Sequence, residues 1–272
     1  VTNRPDDLVR RTEPRPGVVQ LTLSRPDRLN ALTHGLVAQL GGQVRRLATD
    51  RTCRAVVLTG AGRGFCAGLD LQGYGTVDGT EGFGRTQRWW AVQRELAALM
   101  QDLHRLPQPV VAAVNGPAAG GGLGLVCASD IRLASSTAVF STSFIRIGAS
   151  GCDVGTSWIL PRLVGAGRAH ELIMTSRRFD AAEAQAIGLV ADVVDPGDLA
   201  ARVDATLDSL LQAPPLAMSL TKQAMWLSME IPSLDAAIEL ENRQQVLSLV
   251  TADADEAMAS YREGYPPAYR NA

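Results

Sequence analysis

The sequence predicts an α/β fold that ends in an all-helical region, and three observations predict it. Short apolar runs without helical spacing, at residues 18–23, 55–59 and 110–114, read as buried strands. Two of these runs lead into segments of small residues, 65–71 (FCAGLDL) and 115–124 (NGPAAGGGLG), each of which can open a helix. From Thr156 onward helical spacing dominates, interrupted by one strand-like run at 189–194.

Taken in order, residues 1–16 are polar and expected to be loose. After the strand at 18–23, Thr33 can cap a helix running to about Ala48, with Leu36, Val37, Leu40, Val44 and Leu47 on one side. The next strand ends at Gly60. Residues 72–88 are rich in glycine and threonine and read as a mobile loop. A helix is expected over 87–106, closed by Pro107 and Pro109. The strand at 110–114, the glycine segment and a helix to Ser129 follow, then short strands at 131–133 and 138–140. Beyond Pro196 and Gly197, residues 199–211, 216–229, 234–250 and 254–263 read as mostly amphipathic helices. The nearly uncharged stretch 109–129 contains Asn115, Pro117 and five glycines, which suits a strand–loop–helix and not a lipid-facing helix.

The 272 residues are 46% apolar, enough for a sizeable core, and carry a formal net charge of −2, which gives no electrostatic drive toward nucleic acid. Cys53, Cys66, Cys127 and Cys152 are widely spaced and read as reduced, buried thiols. The three histidines, His34, His104 and His170, form no metal-type cluster with them, so no metal site is expected. The polar, charged N-terminus does not read as a signal peptide, and the expectation is a soluble, cytoplasmic protein without a membrane partner. There is no strand-borne GxGxxG with a downstream acid, no Walker A lysine, no GxSxG and no HExxH.

Helix starts offer unpaired N–H groups and a positive dipole end, and two such groups aimed at one point make an oxyanion hole. The two glycine segments, together with residues 25–32 (RPDRLNAL), 148–156 (GASGCDVGT) and 179–190 (FDAAEAQAIGLV), resemble in order and interval the signature segments of the crotonase superfamily, the enoyl-CoA hydratases and isomerases. The likeness runs from about Val18 to Tyr269. It implies a spiral of β-β-α turns over residues 1–197 that binds acyl-CoA. A helical region over 198–272 then drives assembly into a trimer or a dimer of trimers.

The same resemblance assigns site residues. The N–H groups of Leu69 and Gly121 would bind the thioester oxygen. Ala67, Leu69 and Leu71 match the adenine and pantetheine path, with Leu29, Ala31 and Asp70 beside it; Asp70 reads as structural, not catalytic. Arg28 stands where the family has a basic residue near the CoA phosphates; its alternative is a solvated surface arginine. Coenzyme A enters only as part of the thioester substrate, and no permanently bound cofactor is implied. The two glutamates of the family's hydratases would fall at Gly124 and Phe144, neither of which can move a proton. Asp153 matches the position of a catalytic aspartate in dienoyl-CoA isomerases and lies in a segment close to that of the 4-chlorobenzoyl-CoA dehalogenases; its alternative is an N-cap for a helix starting near Gly155. The other dienoyl-isomerase acids and the dehalogenase histidine are absent.

A partly buried carboxylate beside an apolar pocket can serve as base or nucleophile. Isomerisation or other Asp153-dependent chemistry on a fatty or aromatic acyl-CoA therefore ranks above simple hydration, and a non-catalytic acyl-CoA binding protein is the alternative. Trp89, Trp90, Gly124 and Phe144 would border the acyl pocket; for the tryptophans the alternative is ordinary core packing. His104 and His170 are expected to have no role. The tail at 261–270 resembles a C-terminus that often completes a neighbour's CoA site, with Gly264 and Tyr265 at usually basic positions.

Overall fold

The computed structural model describes residues 7–271. Strands β2 (Val18–Leu23), β3 (Ala55–Gly60) and β4 (Val110–Val114) in it lie side by side and parallel. Strands β6 (Ile131–Ser135) and β9 (Asp192–Val194) extend this sheet in parallel, and β1 (Val9–Arg15) closes the other edge antiparallel to β2. The order is β1-β2-β3-β4-β6-β9. A second, three-stranded sheet pairs β5 (Ala118–Ala119), β7 (Val139–Ser141) and β8 (Phe179–Asp180).

The central strands read as continuous apolar runs because both faces of the sheet are covered. Val19, Leu21 and Leu23 of β2, Val56 and Leu58 of β3, and Val110, Ala112 and Val114 of β4 face the larger core. It is shared with helices α1 (His34–Leu47), α2 (Arg85–His104) and α3 (Gly121–Ala128). Their sequence neighbours Val18, Ala55, Val57, Val111 and Ala113 face the opposite way, onto Leu199, Val203 and Leu207 of a later helix (Leu199–Leu211). All eight residues of α3 are buried, which accounts for its having no polar face. Thr33 does cap α1: its Oγ1 accepts from the Leu36 N–H at 3.4 Å.

Four further elements, α4 (Thr156–Val164), α5 (Ala166–Thr175), α6 (Ala181–Ala186) and the helix at Leu199–Leu211, here α7, precede the C-terminal group. That group is α8 (Pro215–Ser228), α9 (Leu234–Leu249) and α10 (Ala252–Glu263). Lys222 pins α8 to the core. Its buried ammonium meets Asp130 Oδ2 at 2.8 Å and donates to Gln108 O at 3.0 Å, while Trp226 Nε1 donates to Asp130 Oδ1. The end of the chain folds back on its own core, where the Asp253 carboxylate accepts from the Arg270 and Asn271 N–H groups and Tyr269 stacks against Arg54. Among the described residues no helix is long and apolar enough to cross a membrane.

Three expectations are corrected. Within the segment expected to be loose, residues 9–15 form β1; residues 1–6 lie outside the described part. Only Val9 of that strand is buried, so it is held by main-chain pairing at a sheet edge and leaves no hydrophobic alternation to read. The run at 189–194 becomes strand only from Asp192, because Leu189 and Val190 are buried in the turn after α6. Cys152, expected to be buried like the other cysteines, is exposed in the loop before α4, whereas Cys53, Cys66 and Cys127 are buried.

Candidate active site

Residues 25–32 are stitched to the first glycine segment. Asn30 is fully buried; its Nδ2 donates to the carbonyls of Ala61, Gly64 and Phe65 at 3.0, 2.8 and 3.2 Å, and its Oδ1 accepts from the Arg25 N–H. Leu29 and Asn30 both sit in the left-handed region, φ 47° and 56°, which turns the chain sharply here. The Leu32 N–H donates to Gly68 O and the Asp70 N–H to Leu32 O, at 2.7 and 2.9 Å. Arg25 donates to Ala31 O and to Asp70 Oδ2, and Asp70 Oδ1 accepts from the Gln72 N–H. Burial pushes the Asp70 carboxyl up, but the Gln72 N–H and the Arg25 guanidinium outweigh it and hold the group below the usual range. Arg28 is exposed nearby. Arg28, Leu29, Ala31 and Asp70 therefore lie along this seam, outside the lining of the cavity described next.

The two glycine segments run side by side. Cys66 and Ala118 form a parallel bridge, with Cys66 N–H donating to Pro117 O and Ala119 N–H to Cys66 O. Leu69 and Gly121 each stand third beyond that bridge. Among the described residues neither of their N–H groups has an acceptor, and Gly121 is the first residue of α3. Gly68 makes the close approach possible: its φ is +85°, and a Cβ on it would stand 2.6 Å from Ala119 O and 3.3 Å from Gly121 N.

A cavity of ≈ 440 Å³ opens between these loops. Its walls are Ala67–Leu69, Leu71, Gly120 and Gly121 on one flank, and one face of α2 with residues from 143–154 on the other. Arg85, Trp89, Val92, Gln93 and Leu96 form the α2 face at helical spacing. The helix thereby separates the tryptophan pair: Trp89 lines the cavity at 52% exposure, whereas Trp90 is 67% exposed and stands outside the lining. Phe144 does line the cavity, its ring 3.6 Å from where a Cβ on Gly120 would be. Gly124 stands one turn along α3 from the lining residues Gly120 and Gly121. It lies beneath the lining, where a Cβ would meet Val154 Cγ2 at 2.7 Å and Met100 Cε at 3.4 Å.

Asp153 is the one carboxylate in the cavity lining among the described residues. Its Oδ1 accepts from the Val154 N–H at 2.7 Å and from Gln93 Nε2. The helix-cap alternative is not what this side chain does: Gly155 is the N-cap of α4, and Thr156 bonds the main-chain carbonyl of Asp153. Val154 holds φ +43°, a left-handed conformation that costs a β-branched residue about 1–3 kcal/mol and that clusters at functional sites.

Sequence reasoning missed two groups. Gln93 carries no motif; only the register of α2 finds it. The other is a tether: Glu95 of α2 receives the Tyr74 hydroxyl at 2.5 Å and His34 Nδ1 at 2.9 Å, with Asp78 3.6 Å from His34 Nε2. Burial, reinforced by Glu95, pushes the Tyr74 phenol far above its usual range. The segment expected to be a mobile loop is thus tied to α1 and α2 at Tyr74, and α2 starts at Arg85. His104 packs edge-on against Trp226, 4.2 Å between ring centres, and His170 is exposed on α5.

The enoyl-CoA hydratase/isomerase family profile matches residues 13–272. A probable enoyl-CoA hydratase of Mycobacterium tuberculosis is 38% identical over 263 residues, 96% of this chain and 92% of the relative. The 1,2-epoxyphenylacetyl-CoA isomerase of Escherichia coli K12 is 37% identical over 245 residues, 90% of this chain and 92% of the relative. The crystal structure of a probable enoyl-CoA hydratase/isomerase from Mycobacterium abscessus superimposes with a TM-score of 0.90 at 33% identity, covering 97% of this chain and 99% of that one. The two sheets and C-terminal helices are accordingly the crotonase fold, and the chain belongs to the enoyl-CoA hydratase/isomerase family of acyl-CoA enzymes.

Proposed function

We propose that this enzyme isomerises an unsaturated acyl-CoA, with Asp153 as its acid–base group and the Leu69 and Gly121 N–H groups as its oxyanion hole. The observation that carries this reading is the lone carboxylate: Asp153 alone among the cavity-lining residues can take and return a proton at carbon. The thioester oxygen accepts from the two N–H groups. Asp153 removes a proton from the carbon between thioester and double bond. The electron pair moves to the thioester oxygen as a dienolate, held by donors typically worth about 3 kcal/mol each. The proton returns at the far end of the dienolate, the double bond shifts, and Asp153 is a carboxylate again. Atoms and electrons balance without a resident cofactor. By resemblance the hydratase glutamates fall at Gly124 and Phe144, where Val154 and Met100 fill the space above the glycine; this favours proton shuttling over hydration.

Trp89 and Phe144 flank the cavity and suit a fatty or aromatic acyl group. The name of the E. coli relative likewise gives a phenylacetyl-CoA epoxide as its substrate. Ala67 and Leu71 lie on the reading's pantetheine path, and Arg28, Leu29, Ala31 and Asp70 on its outer CoA path. The exposed apolar residues Met225, Leu234, Val246 and Val250 support assembly into a trimer or a dimer of trimers through α8 and α9, read by sedimentation velocity.

The experiment is mass spectrometry of saturated, 2-enoyl, 3-enoyl, dienoyl and aromatic CoA thioesters incubated in heavy water, with Asp153→Asn alongside. A shifted double bond is expected in the wild type, with deuterium uptake only to the extent that the Asp153 proton exchanges with solvent before it returns, and turnover is expected to fall about 10²–10⁴-fold in the variant. Turnover surviving in Asp153→Asn overturns the assignment, as does binding without turnover across the whole panel.

A further inference from the structure

We propose that Gln93 is the positioning residue for the Asp153 carboxylate, holding Oδ1 so that Oδ2 is the oxygen that carries the proton. This rests on the reading of Asp153 given above.

An ionised carboxylate is an acceptor with two oxygens. Here both donors fall on the same one: the Val154 N–H and Gln93 Nε2 both point to Oδ1. Oδ2 has no donor among the described residues, and the side chain lines the cavity. Two donors from different elements, a turn and a helix sixty residues away in sequence, fix the carboxylate in a way that one cannot.

The chemistry of the amide suits a proton shuttle. Gln93 does not titrate in the working range, so the donor is present in every state. When Oδ2 takes a proton, Oδ1 becomes the carbonyl oxygen of the acid and still accepts from Nε2. The bracket therefore persists through abstraction and return, and the acid need not rotate between them. Holding one group in register with two carbons is the kind of orientation whose loss by about 1 Å costs about 10²-fold. The helix that presents Gln93 is itself held in place, with Val92 and Leu96 buried and Glu95 bonded to His34 and Tyr74.

The test uses the full-length chain with trans-3-hexenoyl-CoA from the panel, following formation of the 2-enoyl thioester. Gln93→Met keeps the length and removes the donor. Its kcat is expected to fall about 10²-fold with KM within about twofold and the thermal midpoint unchanged. Gln93→His, which restores an N–H, is expected to recover part of the loss. In an Asp153→Asn background, Gln93→Met should add nothing. Unchanged kcat, a raised KM alone, or the same loss in both backgrounds overturns the positioning role. If Asp153→Asn retains full activity, the reading of Asp153 itself has failed; if Asp153→Asn is dead and Gln93→Met is fully active, only this inference has.

Discussion

The two flanks of the cavity are built by opposite means. One is main chain: Leu69 and Gly121 offer N–H groups that no side chain supplies, brought together because Gly68 lets two loops touch. The other is side chain: Asp153, Gln93, Trp89 and Phe144, delivered by a helix face and a tight turn. The difference teaches where each flank is fragile. A backbone site cannot be deleted, only pushed apart, so its sensitive positions are the residues with no side chain. A side-chain site tolerates changes of bulk nearby but loses its chemistry with one group.

The largest effect that sharpens this contrast is expected at Gly68. Gly68→Ala places a methyl 2.6 Å from Ala119 O at φ +85°, so the loops must part. A loss of about 10²–10³-fold in kcat is expected, the scale of removing one oxyanion donor, in a folded protein read by steady-state kinetics beside circular dichroism. Retained activity would mean that the two N–H groups do not act together.

Next comes an attempt to give the side-chain flank a hydratase acid. Gly124→Glu drives its Cβ into Val154, 2.7 Å from Cγ2, and is expected to cost about 1–3 kcal/mol as an overpacked core position, without hydration of a 2-enoyl-CoA. Adding Val154→Gly should recover part of the thermal midpoint, since φ +43° suits glycine and the obstructing methyl is gone. A Gly124→Glu protein as stable as the wild type would show that the space is not filled.

The smallest effect concerns pH at the seam. The Asp70 carboxyl is depressed in the folded state, so its contribution is present above the unfolded value of about 4 and is lost as pH falls through the folded value. Between pH 5 and pH 3 the midpoint of the wild type should drop more than that of Asp70→Asn, by differential scanning fluorimetry. Parallel curves would remove the Arg25–Asp70 bond from the forces that hold residues 25–32 against the cavity loops.

Both flanks were legible in the sequence to different depths. Of the glycine flank, the small residues mark where a backbone can be approached closely, while Leu69 and Gly121 come from the resemblance and the meeting of the two loops is not written in the spacing. Of the side-chain flank, Asp153 stood out only through the resemblance of residues 148–156, and Gln93 not at all. Trp89 and Trp90 are neighbours in the sequence but part in the structure, because one hundred degrees of helix rotation turns Trp90 off the cavity face of α2; Gly124, which the resemblance matches to a hydratase glutamate, is covered by Val154.

By itself the sequence determined what depends on neighbours in the chain. Apolar runs set the strands, helical spacing and Thr33 set α1, and glycines set the two loops. Tertiary structure alone decided what depends on partners far along the chain. Edge strand β1 exists because β2 offers main-chain partners, α7 belongs to the core because the sheet has a second apolar face, and Asp153 is oriented by a glutamine from another element. The physical reason is range. Periodicity and backbone preference act over a few residues. Burial and hydrogen bonding act between whatever surfaces the folded chain brings together, and no local pattern records which surfaces those will be.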